Sequence, residues 1–182
     1  FAGMDARAHN QFAEAMDEVE FAAGDLIIEQ GEDGEEMFVL GSGTIRISVR
    51  DAKGVVVFER TSSAPAIFGE MALITREPRT ATITAEVDSV CLRIDKVAVK
   101  DLFSRNPSTA VFLTRLVGER LMQVQGIRKV GKYEVIGRLG AGGVATVFEA
   151  KHPSLGIPVA LKMLSHALVF DTGFAEHFAE EA

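Results

Sequence analysis

The sequence predicts an α+β fold. A roll of short antiparallel strands, sandwich- or barrel-like, lies between helical segments, and a second, incomplete strand–helix unit follows. Three observations predict it. Strand-like patterning with Gly-bearing turns runs from residue 26 to about 94. Apolar residues recur at helical spacing before and after that stretch. Past residue 126 a short basic segment intervenes, and strand patterning then resumes.

Residues 5–18 hold Ala6, Phe12, Ala13, Ala15 and Met16, continued by Val19, at mostly helical spacing, which predicts a short amphipathic helix. Gly24 and Asp25 mark a turn. Ile45, Ile47 and Val49 alternate with Arg46, Ser48 and Arg50. The turn Asp51-Ala52-Lys53-Gly54 leads into Val55-Val56-Val57-Phe58, a hairpin signal. Ile83, Ala85 and Val87, then Val90, Leu92 and Ile94, predict two further strands. Asp95 reads as the cap of a helix through Phe103. Asn106-Pro107 opens a longer helix carrying Val111, Phe112, Leu116, Val117, Leu121 and Val124. Arg128, Lys129 and Lys132 flank Gly131 and read as a linker over 127–132. Tyr133 to Leu139 and Val159 to Lys162 read as strands, and Phe174 to Ala182 as a helix.

Composition bounds the function. Of 182 residues, 47% are hydrophobic and 25% charged, ordinary globular material. No apolar run approaches the ~20 residues of a membrane span, and no signal peptide opens the chain. The net charge of −7 disfavours general nucleic-acid binding, while leaving room for one anion site. Cys91 is the sole cysteine and lies in an apolar strand pattern, so a buried, inert thiol in a reducing cytoplasm is expected. The opening Phe1 and the end at Ala182 read as cuts from a longer protein.

The stretch Phe68-Gly69-Glu70-Met71-Ala72-Leu73-Ile74, followed by Pro78-Arg79-Thr80-Ala81-Thr82, carries the most chemistry. Gly69 lets backbone approach a ligand closely. The residues after Glu70 open a helical turn, whose first N–H groups and dipole attract a phosphate. Arg79 adds a planar two-pronged cation. Glu70 fits a different task, accepting hydrogen bonds from a sugar hydroxyl of the same ligand.

The pattern F-G-E-x-A-L, then P-R-T-A-T with Arg79 nine residues after Glu70, closely resembles the phosphate-binding cassette of cyclic-nucleotide-binding domains. Phe21, Gly24, Ile27, Ile28, Gln30, Gly31, Gly34, Phe38 and Gly43 extend the resemblance to that family's β-roll, over residues 1–126. It implies cyclic AMP (cAMP) or cyclic GMP (cGMP) as ligand, bound by Phe68, Gly69, Glu70, Met71, Ala72, Arg79 and Thr80. Glu70 would hold the ribose 2′-hydroxyl and Arg79 the cyclic phosphate. Met71 and Ala72 would act through backbone N–H. Thr80 would touch phosphate or base, without settling cAMP against cGMP. The long helix would close over the base, with Val124 and Gln125 as candidate caps.

A second set follows. Leu139-Gly140-Ala141-Gly142-Gly143-Val144-Ala145-Thr146-Val147 is a glycine-rich turn between strands, suited to lie over nucleotide phosphates. Val159-Ala160-Leu161-Lys162 resembles the lysine strand of a protein kinase, and Glu181 is spaced to pair with Lys162. Together these resemble the start of the N-terminal lobe of a bacterial-type serine/threonine kinase over 133–182. Gly140, Gly142, Gly143, Val147, Lys162 and Glu181 would be its ATP-binding residues. Ala145 replaces the third glycine of that family's loop, and Glu180 competes with Glu181 as the partner. No H-R-D catalytic loop or D-F-G occurs, so the chain as given has no catalytic residues for phosphoryl transfer. ATP and Mg²⁺ would belong to a longer parent.

The acidic residues Glu29, Glu32, Asp33, Glu35 and Glu36 lack EF-hand spacing and read as a solvated turn. His9, His152, His166 and His177 lack partners at metal-ligand spacing, so no metal is expected. The expected function is a cyclic-nucleotide sensor controlling a kinase domain in cis, in the cytoplasm, without nucleic acid or membrane as partner. The alternative is an ATP-binding kinase fragment whose sensor is incidental or degenerate. A sensor joined to a helix-turn-helix would need a basic recognition helix after residue 126, where a glycine-rich strand pair stands instead.

Overall fold

The computed structural model describes residues 6–75, 77–105, 107–123, 129–141 and 145–164. The chain divides into two compact units. One is Ala15–Ala98 with Val124–Ile127; the other is Phe1–Glu14, Val99–Gln123 and Arg128–Ala182.

The first unit is an antiparallel β-roll of the jelly-roll kind. Strands β1 (Asp17–Phe21), β3 (Glu36–Ser42), β6 (Ala66–Phe68) and β8 (Ser89–Asp95) form one sheet, in the order β1-β8-β3-β6. Strands β2 (Leu26–Ile28), β4 (Thr44–Arg50), β5 (Val56–Ser63) and β7 (Thr82–Ala85) form the other, in the order β2-β7-β4-β5. Both supply one core: Phe38, Leu40, Phe68 and Cys91 from the first sheet, Ile28, Ile45 and Ile83 from the second. Phe38 stacks on Phe68 at 5.2 Å between ring centroids. Burying these side chains supplies the main driving force, about 1.5–3 kcal/mol for each large one.

The turns hold the register. Asp51 Oδ1 accepts from the N–H groups of Lys53 and Val55, closing the hairpin between β4 and β5. Gln30 pairs with the backbone of Arg50 in both directions at 2.8 Å, a side-chain amide imitating a strand. Gly43 sits at φ +101°, a conformation few residues other than glycine adopt. A Cβ there would meet the Cα of Ser89 at 2.8 Å.

Two expectations are corrected. The helix expected over residues 5–18 is α1 (Ala6–Glu14), and Val19 belongs to β1, paired with Cys91. Asp17–Phe21 also reads with a period of two, and pairing with β8 decides the outcome. Val87 lies beyond the end of β7, 48% exposed, where the chain turns at residues 86–88. Val55, Val56 and Val57 are exposed despite their hydrophobicity.

The cap expected at Asp95 forms: its Oδ1 accepts from Ala98 N at 2.8 Å, opening α3 (Lys96–Arg105). Helix α4 (Pro107–Gln123) follows. Pro107 is the first helical residue, as expected, while Asn106 and Val124 lie outside the described residues.

In the second unit, β9 (Lys129–Val130), β10 (Tyr133–Ala141), β11 (Ala145–Lys151) and β12 (Pro158–Leu164) form a meander of order β12-β11-β10-β9. Part of the stretch read as a linker thus supplies β9. Thr146, Phe148 and Ala150 bury one face of β11. Helix α4 reaches that face at Gly118, where a Cβ would lie 3.5 Å from Phe148 Cζ and 3.7 Å from Thr146 Oγ1. His152 Nδ1 accepts from the N–H groups of Ser154 and Leu155, a structural role in the turn before β12.

Candidate functional site

Strand β6 ends at Phe68 in the core, and Gly69 turns the chain at φ +82° into α2 (Glu70–Thr75). A Cβ on Gly69 would stand 2.9 Å from Arg79 Nη1 and 3.1 Å from both the Glu36 oxygen and Ile28 Cδ1. Glycine therefore serves twice here, by its conformation and by leaving space. Glu70, Met71, Ala72 and Leu73 are all buried, so the short helix is sunk into the roll.

Arg79 is 8% exposed. Its Nη1 donates to the carbonyl oxygens of Glu36 at 2.8 Å and Gly69 at 2.9 Å. The backbone is fixed as well: Arg79 N donates to Glu32 O at 2.7 Å, and Gly31 N donates to Arg79 O at 2.8 Å. Burial pulls the Arg79 pKa below its ordinary value, while the charges of Glu36, Glu70 and Glu32 oppose that shift. An arginine stays protonated even so.

Among the described residues, no carboxylate lies within ion-pair distance of the Arg79 guanidinium. The carboxylate of Glu36 instead faces Arg93, at 3.7 Å. One nitrogen of the Arg79 fork is thus held by backbone, and Arg79 lines an open pocket with Ile28, Gly69, Met71, Ala72, Thr80, Ala81 and Ile83. A buried cation with no anion in direct contact is costly, and an anion in that pocket would relieve part of the cost that the more distant glutamates leave.

The structure brings the first set of expected residues together. Gly69, Met71, Ala72, Arg79 and Thr80 line one pocket, and Phe68 and Glu70 adjoin it in the chain. Sequence reasoning missed Glu36, whose contribution is a carbonyl oxygen, and Gly34, which packs on the Arg79 side chain.

Residues 18–106, from β1 to the end of α3, match the family model of the cyclic nucleotide-binding domain. The chain carries a cyclic nucleotide-binding domain. The domain's relatives include a cAMP-dependent protein kinase regulatory subunit of Candida albicans. It is 33% identical over 100 residues, covering 55% of this chain and 21% of the relative. A cGMP-dependent protein kinase of Eimeria tenella is 41% identical over 76 residues, covering 42% of this chain and 7% of the relative. The chain thus spans about a fifth or less of these two curated relatives. Among solved structures, the regulatory domain of Toxoplasma gondii PKA with cAMP aligns at TM-score 0.58 and 26% identity. That alignment covers 64% of this chain and 44% of the other.

In the second unit, Gly140 pairs with Val147, and Val147 with Lys162, so the three form a row across neighbouring strands. Residues directly opposed in antiparallel strands share a face. Their row therefore lies on the face opposite Thr146 and Phe148. Gly142, Gly143 and Glu181 lie outside the described residues, as do Gln125, His166 and His177. Among the described residues there is no cluster fit to hold a metal, and no helix is long and apolar enough to cross a membrane.

Proposed function

We propose that the domain binds a cyclic nucleotide, cAMP or cGMP, and acts as the sensing module of a kinase attached in the same chain. The observation that carries the binding reading is the buried Arg79, its Nη1 held by two carbonyls and the residue itself on the lining of a pocket. The cyclic phosphate takes the remaining donors of Arg79 and backbone N–H groups at Met71 and Ala72. Glu70 accepts from the ribose 2′-hydroxyl, Gly69 gives the ligand room, and Thr80 contacts phosphate or base. Phe68 anchors the cassette to the core from the end of β6. Titration calorimetry with cAMP and cGMP tests this and names the ligand; absence of heat with both defeats it.

The kinase reading rests on the row Gly140, Val147 and Lys162 and on the glycine-rich segment between β10 and β11. In this reading residues 1–126 are the sensor, 127–132 the joint and 133–182 the start of the kinase lobe. ATP and Mg²⁺ enter only in a longer chain, with Gly142, Gly143 and Glu181 completing the nucleotide contacts. Helix α4, packed on β11 at Gly118, joins the sensor's sequence to the sheet. A ligand shifts such an equilibrium only by its differential affinity for the two states. A chain extended through the catalytic lobe should phosphorylate substrate at a rate that depends on cyclic nucleotide. A rate indifferent to it defeats the coupling.

A further inference from the structure

The segment Gly31-Glu32-Asp33-Gly34 contains two glycines with opposite surroundings. Gly31 has a φ of +92°, and a Cβ there would meet nothing within 4 Å. Its glycine is explained by conformation alone. Gly34 lies outside the left-handed region, so a positive φ does not explain its glycine. A Cβ on Gly34 would run into the Arg79 guanidinium at Nε and Cζ and lie 2.7 Å from Cδ. Its glycine is explained by space alone, and the space is filled by Arg79.

We infer that Gly34 is a positioning residue for the anion site: its missing side chain is one wall of the slot that aims Arg79. This rests on the proposed role of Arg79 in binding the cyclic phosphate. Gly69 forms a second boundary, since a Cβ there would press on Nη1. Neither side gives way readily. Glu32 O is tied to Arg79 N, Gly31 N to Arg79 O, and Glu35 O to Lys96 N at 2.7 Å. Lys96 Nζ also holds the Glu35 carboxylate at 2.9 Å. The backbone on both sides of Gly34 is therefore pinned, and an added methyl displaces the side chain of Arg79. The displaced guanidinium loses its bonds to Glu36 O and Gly69 O, and with them its fixed position at the pocket. A bidentate fork tolerates little misplacement.

The test is a double-mutant cycle in the 182-residue chain. Gly34→Ala is expected to weaken cyclic nucleotide binding about tenfold or more, measured by calorimetry, with the circular dichroism of the folded protein retained. In an Arg79→Ala background the same substitution should change the affinity little, because its target is gone. Unchanged affinity of Gly34→Ala, or an equal loss in both backgrounds, overturns the inference. The Nε–Hε resonance of Arg79, identified by its disappearance in Arg79→Ala, supplies a ligand-free readout. It should move in Gly34→Ala, and an unmoved resonance rejects the positioning role. If the parent binds neither cAMP nor cGMP, the binding reading fails, while this resonance still decides whether Gly34 positions Arg79.

Discussion

The Nη1 nitrogen of Arg79 donates to the carbonyl oxygen of Glu36 at 2.8 Å, across 43 positions of sequence. The bond joins the first residue of β3 to the segment before β7 and fixes a cation that, among the described residues, no carboxylate meets at ion-pair distance. Glu36 is divided in its service. Its oxygen on the main chain holds Arg79, and its carboxylate faces Arg93 of β8, which also reaches Asp17 of β1 at 3.7 Å.

Glu70 opens α2 and is 3% exposed. Glu70→Gln should weaken cAMP or cGMP binding about 10- to 100-fold, the worth of a hydrogen bond to a charged group. With the 2′-deoxy analogue of the same nucleotide, the substitution should cost little, since the hydroxyl is already missing. Calorimetry on the four combinations checks it; equal losses with both ligands refute the ribose role.

Gly43 lies at φ +101°, and a Cβ there meets the side chain and Cα of Ser89. Gly43→Ala combines backbone strain with a clash against β8, which cannot withdraw as a flexible side chain tip would. The expected loss is about 1–3 kcal/mol of unfolding free energy, read from urea denaturation. A midpoint equal to that of the parent would contradict this.

Cys91 is fully buried, and burial pushes its thiol from 9.0 up to about 11. The folded state therefore favours the protonated thiol. That contribution to stability is fully present below pH 9 and is lost as pH rises through about 11. A thiol reagent at about pH 8 should label the native protein far more slowly than the unfolded protein. Relative to a Cys91→Ala variant, the parent should lose stability from pH 9 to about 11. Rapid native labelling would contradict the account.

Much of the roll was legible in sequence because its signals are local. Ile45 and Val49 are buried by the alternation that marks β4, and Asp95 caps α3 as its residue type suggests. The grouping of Gly69 and Arg79 at one pocket was legible because it rests on residue types. What escaped depends on distant partners. The end of α1 was misjudged because Asp17–Phe21 suits either period, and pairing with β8 decides. Glu36 was missed because it acts through a carbonyl, which every residue carries. Gly34 counted only as a turn signal, since nothing in the sequence says that Arg79 lies against it.

The most direct measurement of the central claim is the affinity of the parent and of Arg79→Ala for cAMP and cGMP, by titration calorimetry. Removing the cation should cost about 2–5 kcal/mol, which is roughly 30-fold to several-thousand-fold in affinity. Equal affinity in the two proteins would contradict the assignment of Arg79 as the phosphate's partner.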